Sequence, residues 1–235
     1  MKQALFACLI ALAASGCAPA SPDANTTTGN DTATTTAATA TTASAAETAT
    51  VPPPADKEKP MSYYENKVAE LHTKAGEIDI RFFPDVAPNH VKNFIDLAEK
   101  GFYNGTKFHR IIPGFMVQGG DPNTIKGDPN TWGTGGAPSN VRAEFNTVSH
   151  KRGIVSMARA QHPDSGSSQF FIVVNDSSFL DRQYSVFGQV TKGMDVADKI
   201  VSAPRDANDR PNNPTTITSI TIRDARPDEQ GPAPK

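Results

Sequence analysis

The sequence predicts an all-β-dominated domain, an antiparallel barrel or sandwich with two helices. Short strand-length apolar runs recur from Lys67 to Ile222, only two segments carry helical spacing, and no strand–helix–strand rhythm appears. Glu77-Ile78-Asp79-Ile80-Arg81-Phe82 alternates polar and apolar residues without a break, the pattern of a half-buried strand. Thr73-Lys74-Ala75-Gly76 before it reads as a turn, which makes Lys67 to His72 its hairpin partner. Pro84 ends the second strand. Pro88 suits a first helical position, Val91, Phe94, Ile95 and Ala98 follow at helical spacing, and Gly101 supplies the stop. Further strands are expected at Lys107–Ile112, Met116–Gln118, Ile154–Met157, Gln169–Val174 and Val186–Val190. A second short helix fits Met194 to Ile200. Thr216–Ile222 closes the domain with β-branched residues, and its phase slips between Ile217 and Ile220, which predicts a bulge.

The chain has 235 residues, but its composition is uneven. Between Cys17 and Val51 there is no Leu, Ile, Val, Met, Phe, Tyr or Trp. Such a Thr/Ala-rich stretch cannot bury enough apolar surface to offset the entropy of ordering its backbone. Without it, the leader and the polar tail from Arg226, roughly 160 residues remain, one domain from 63 to 225. Net charge is −2, with both signs well mixed, so no nucleic-acid footprint is expected. The two cysteines, Cys8 and Cys17, lie ahead of the domain. A disulfide framework, a thiolate nucleophile and a cysteine zinc site are therefore excluded within it.

Met1-Lys2-Gln3 is a positive start, and Ala4 to Ala14 is an apolar run of about 11 residues, a signal-peptide core too short to span a bilayer. Ser15-Gly16-Cys17 closes it with small residues ahead of a cysteine. This resembles a bacterial lipoprotein signal, which implies lipidation of Cys17, although Ala14 stands where that pattern usually has Leu. Residues 18–62 then read as a disordered Thr/Ala/Pro-rich tether with a flexible-coil span on the order of 35–40 Å. The expected address is the bacterial cell envelope, tethered and facing the periplasm. Ala18 after the cysteine lacks the Asp of inner-membrane retention, which favours the outer membrane. Plain secretion would leave a soluble periplasmic protein.

One long segment carries the most specific signal: Phe108-His109-Arg110-Ile111-Ile112-Pro113-Gly114-Phe115-Met116-Val117-Gln118-Gly119-Gly120-Asp121. It strongly resembles the signature of cyclophilins, the peptidyl-prolyl cis/trans isomerases. Ser168-Gln169-Phe170-Phe171-Ile172, Phe179-Leu180-Asp181 and Val186-Phe187-Gly188 match later family segments in order, so the resemblance runs from about Lys67 to Arg223. It implies a closed eight-stranded antiparallel β-barrel capped by two α-helices. It also implies a catalytic arginine at Arg110 and a proline pocket of Phe115, Met116, Phe171 and Leu180. Gln118 and Gln169 map onto polar positions that orient the substrate, Ala158 and Ala160 onto the substrate rim, and Gly133 onto a glycine beside a second pocket. Arg159, Phe179 and Tyr184 occupy binding positions where Asn, Trp and His are common.

The implied chemistry needs no nucleophile, metal or cofactor. Rotation about an X–Pro bond meets a barrier of about 18–20 kcal/mol and takes tens of seconds or more. Reaching milliseconds requires roughly 5–6 kcal/mol of selective binding to the twisted amide. An apolar slot disfavours the less charge-separated twisted form least, and its freed nitrogen lone pair can accept a hydrogen bond from the fixed fork of an arginine. That bond contributes about 1.5–3 kcal/mol, so pocket and positioning must supply the remainder. Read alone, Arg110 is a surface salt bridge, the apolar residues are ordinary core, and each glutamine ties two strands together.

The expected function is therefore a folding catalyst acting on proline-containing clients outside the cytoplasm, working as a monomer. A non-catalytic holdase for proline segments is the alternative, and a surface scaffold a third. Phe179 lacks an indole N–H, so weak cyclosporin binding is expected. The five histidines show no metal-ligand spacing, and the glycines at 133–136 lack the strand-to-helix context of a phosphate loop.

Overall fold

The computed structural model describes residues 59–234. The signal peptide, Cys17 and the tether as far as residue 58 lie outside the described residues.

Strand β1 (Lys67–Thr73) and β2 (Gly76–Phe82) form the expected hairpin, paired from Val68↔Arg81 to Thr73↔Gly76. Helix α1 (Pro88–Glu99) begins with Pro88 at its first turn. It ends in a Schellman motif: Gly101, at φ +69°, donates to Ala98 O at 2.9 Å and Phe102 donates to Leu97 O at 3.0 Å. Then come β3 (Arg110–Ile112), β4 (Met116–Gly119) and the single-turn α2 (Asn123–Lys126). Strands β5 (Ile154–Met157), β6 (Phe170–Val173) and β7 (Val186–Lys192) follow, with α3 (Met194–Val201) and β8 (Ile217–Asp224) at the end. The eight strands make one sheet in the order β3-β4-β6-β5-β7-β2-β1-β8, every pair antiparallel.

Two expectations need adjustment. The strand proposed from Lys107 is shorter, because Lys107 forms only isolated bridges, to Asp121 and Thr216. A third helix, α2, joins the expected two, and Phe94 and Ile95 of α1 share a core with Val196 and Ile200 of α3. Hydrogen bonds also tie both ends of the described residues to the domain. Lys59 and Tyr63 bond Glu99, and Tyr64 donates to Asp96 at 2.8 Å. At the other end Glu229 is buried and takes Arg223 at 2.7 and 2.8 Å and Arg226 at 2.6 Å, which holds its pKa down to about 2. The bulge falls in the expected interval: His72 pairs Ser219 and Thr73 pairs Ile217, so Thr218 is the extra residue. Its hydroxyl donates to His72 O at 2.7 Å.

Alternation along the strands separates two apolar faces. Ile80, Ile111, Val117, Val155, Phe170, Ile172 and Phe187 point into the main core with α1 and α3. Because residues of both edge strands, Ile111 of β3 and Ile217 of β8, reach that core, the sheet curls around it. Their flanking segments are joined, Gly105 N–H to Ile217 O and Ile217 N–H to Thr106 O, both at 2.8 Å. Phe94 lies at the centre, with Phe82, Tyr103, Phe170 and Phe187 ring centroids 5.0–5.5 Å away. The opposite face of β4, β5, β6 and β7 carries Met116, Ile154, Phe171, Val173 and Val186. A strand apolar on both sides explains the unbroken run Phe170-Phe171-Ile172-Val173, and this second face holds the site.

Candidate active site

Register sets the geometry. Arg110 on β3 pairs with Gln118 on β4, Gln118 with Phe171 on β6, and Phe171 with Ser156 on β5. One row above, Ile112 pairs Met116 and Met116 pairs Val173. Arginine, glutamine, aromatic ring and thioether are thereby presented on one side of the sheet. Phe115 closes the β3–β4 turn, where Gly114 supplies the left-handed φ of +75°. Phe115, Met116, Phe171, Leu180 and Tyr184 join a single apolar cluster floored by Phe83, Ile154 and Val186. The Tyr184 ring stands edge-on to Phe171 at 5.6 Å. Phe179, 64% exposed, leans its ring 5.3 Å from Phe115 at the outer lip.

Beside this apolar cluster lies a cleft of about 550 Å³ bordered by Gln118, Gly133, Ala158, Arg159, Ala160 and Gln169, with the 134–137 loop also lining it. Gln118 Nε2 donates to Gln169 Oε1 at 2.9 Å, and Gln169 Nε2 donates to Gly133 O at 2.9 Å and Gly135 O at 2.7 Å. The amide of Gln169 is thus spent inside the protein, holding the loop and aiming Gln118, whose Oε1 has no partner among the described residues. The same loop is anchored by the buried carboxylate of Asp121, which accepts from the Gly133 and Gly135 amides. Every proposed binding residue therefore belongs to or touches the apolar cluster or borders the cleft.

Arg110 is 46% exposed in its side chain, with Asp209 Oδ2 3.9 Å from Nη2. Asp209 is held in turn by Arg205 Nε at 3.0 Å, and its carbonyl accepts from Ile111 N–H at 2.9 Å. The sequence reading did not single out Asp209. It sits in the loop before β8 in a left-handed conformation, with no periodicity to mark it.

A second unanticipated group backs the slot. His150 Nδ1–H donates to Asp181 Oδ1 at 2.9 Å, which leaves Nε2 to accept from the Ser156 hydroxyl at 2.9 Å. The imidazole lies nearly parallel to Phe171, centroids 6.2 Å apart. The order of groups resembles a hydrolytic triad, but Ser156 and His150 are fully buried behind Phe171, where no scissile carbonyl reaches them. The hydrogen-bonded imidazole instead packs against the Phe171 ring from within the protein. His109, beneath Gly133, is also buried, and neither ring nitrogen has a hydrogen-bond partner among the described residues.

Burial lowers the pKa of His109, partly opposed by the Asp121 charge, and that of His150, opposed by Asp181. The unfolded chain protonates near the ordinary value of 6.5 while the folded state resists. Stability that is complete above that pH is therefore lost as the pH falls below it. The thermal midpoint is expected to drop between pH 7.5 and 5.5, and His109→Leu, which removes an unpartnered imidazole, should flatten that drop. An unchanged acid limb in His109→Leu would remove His109 from this account.

The sheet therefore presents, on one face, an apolar cluster and the half-exposed guanidinium of Arg110. The family model for cyclophilin type peptidyl-prolyl cis-trans isomerase/CLD matches residues 68–222. A probable peptidyl-prolyl cis-trans isomerase of Brucella abortus is 45% identical over 163 residues, covering 67% of this chain and 83% of the relative. The peptidyl-prolyl cis-trans isomerase of Acinetobacter baylyi is 41% identical over 167 residues, covering 67% and 86%. Among solved structures, a cyclophilin type isomerase of Cryptosporidium parvum, crystallised in the presence of the dipeptide Ala-Pro, superposes with a TM-score of 0.61 at 30% identity, covering 66% of this chain and 98% of its own. The chain belongs to the cyclophilin-type peptidyl-prolyl cis-trans isomerases, and it is an enzyme of that activity.

Proposed function

We propose that Arg110 is the catalytic residue of this isomerase and that the slot of Phe115, Met116, Phe171 and Leu180 holds the substrate proline. The observation that carries this reading is the pairing of Arg110 with Gln118 and of Gln118 with Phe171, which sets a half-exposed guanidinium on the same face as the slot. Rings and a pliable thioether suit a pyrrolidine ring. With the proline seated, Arg110 donates to the amide nitrogen as its lone pair is freed, while Gln118 Oε1 accepts from a substrate N–H. Gln169 acts by positioning Gln118 and Gly133. Ala158, Arg159 and Ala160 border the cleft for the residues ahead of the proline, and Tyr184 and Phe179 line the slot's outer side. The Cryptosporidium parvum relative was crystallised in the presence of the dipeptide Ala-Pro, which supports a proline-containing ligand for this site. Closure of the sheet into a barrel through the 105–108 and 215–217 segments would keep this face rigid. The reading is tested by a protease-coupled assay on a proline peptide: acceleration proportional to enzyme concentration is expected, and the uncatalysed rate would overturn it.

The same proposal extends to place and partners. The leader and Cys17 support a lipid-anchored monomer in the bacterial envelope, acting on exported proline-containing polypeptides with a tether for reach. Mass spectrometry of the mature N-terminus tests this: an acylated Cys17 is expected, and an unmodified start downstream of it would remove the anchor. Cyclosporin should bind weakly, because exposed Phe179 offers no N–H donor, a loss of about 1–3 kcal/mol where a buried bond is expected. Calorimetry giving a nanomolar Kd would contradict that.

A further inference from the structure

Arg159 has an unusual set of partners for a surface arginine. Its Nε and Nη2 donate to Gln183 O at 3.3 and 3.2 Å, and its Nη1 donates to Ala160 O and Gln161 O at 3.0 and 3.1 Å. The guanidinium carbon also lies 4.9 Å over the Tyr184 ring. Carbonyls and an aromatic face hold the fork in one place, yet none of them is an anion. Among the described residues no carboxylate pairs with Arg159. By contrast, Arg110 has Asp209 and Arg152 has Asp198.

Its position gives that unneutralised charge a consequence. Arg159 is the one charged residue bordering the cleft among the described residues. Tyr184 beneath it packs against the proline slot, so the cation stands on the partition between slot and cleft. A peptide with its proline in the slot runs its preceding residues past this partition. The guanidinium is already immobilised by its carbonyl contacts, so little further side-chain entropy is lost when an anion approaches.

We propose that Arg159 makes this isomerase charge-selective: it favours X–Pro segments bearing a carboxylate one or two residues before the proline and disfavours a lysine there. The inference rests on the slot assignment above and adds the substrate class to it. The attraction is that of a partly exposed pair, so the discrimination is several-fold and screened by salt.

Two sets of acetyl-capped proline peptides test it, carrying Glu, Gln or Lys at the residue before proline or at the one preceding it. The intact domain, Arg159→Gln and Arg159→Lys are compared by kcat/KM at low and high ionic strength. In at least one set the wild type is expected to prefer Glu over Lys by about three- to tenfold at low salt, with Gln between them. That ratio should shrink toward one in about 0.5 M salt and in Arg159→Gln, while Arg159→Lys keeps its direction. A merely structural clamp predicts another pattern: Arg159→Gln would slow all peptides equally and leave the ratio unchanged, which overturns the inference. Equal rates for Glu and Lys peptides in the wild type also overturn it, with the slot assignment intact. No acceleration of any peptide would bring down the slot assignment as well.

Discussion

Arg110→Ala is expected to lower kcat/KM by roughly 10- to 150-fold while leaving the thermal midpoint nearly unchanged. The range follows from one charge-assisted hydrogen bond formed chiefly in the transition state, worth about 1.5–3 kcal/mol. The midpoint should hold because the Arg110 side chain is half exposed and its ion pair with Asp209 spans 3.9 Å. Exposed pairs of that kind contribute about 0–1 kcal/mol. Arg110→Lys keeps the charge but loses the planar fork, and should fall between wild type and Ala. Coupled kinetics together with thermal melts decide the matter. Wild-type kcat/KM in Arg110→Ala would sink the assignment, because no other cation lies on the Gln118–Phe171 row.

The largest stability effect is expected elsewhere, at Phe94. Its side chain is fully buried and faces Phe82, Tyr103, Phe170 and Phe187 at once. Truncation to alanine should cost about 3–5 kcal/mol, combining lost burial with a cavity that helix α1 and the sheet cannot fully close. Phe179→Ala, at the exposed lip, should cost below about 1 kcal/mol. Urea unfolding measures both. Because Phe94 points into the main core, the folded fraction of Phe94→Ala should retain its kcat. A loss under about 1.5 kcal/mol would mean that the aromatic centre is not the fold's main support.

Much of this architecture was legible because local chemistry dictated it. Pro88 and Gly101 bracketed α1, since one lacks the N–H a helix start leaves idle and the other adopts the left-handed φ that ends it. The phase slip after Ile217 marked the bulge at Thr218, because a period of two cannot absorb an extra residue silently. The resemblance carried the slot residues to one face, and the strand register explains why they meet. What stayed hidden depends on contacts between distant segments. Lys107 reads as strand but is bridged from two sides by single residues. Asp209, His150 and Asp181 are ordinary polar residues until the fold sets them beside Arg110 and Phe171. For Gln169 the sequence offered both a substrate-orienting role and an internal tie, and its bonds to Gln118, Gly133 and Gly135 depend on segments far apart in the chain. Arg159 was visible only as a departure from a pattern, and the role proposed for it depends on carbonyl partners that the fold brings to it and on the lack of a paired carboxylate among the described residues.

The central claim is that proline rotates in the slot of Phe115, Met116 and Phe171 under Arg110. Exchange NMR on an Ala-Pro peptide, with the intact domain at substoichiometric concentration, tests it most directly. It reads the cis/trans exchange rate and, through intermolecular contacts, the place where the ring sits. The account predicts exchange far faster than the uncatalysed tens of seconds, with proline ring contacts to Met116 and Phe171. Exchange at the uncatalysed rate, or ring contacts only outside that slot, would contradict it.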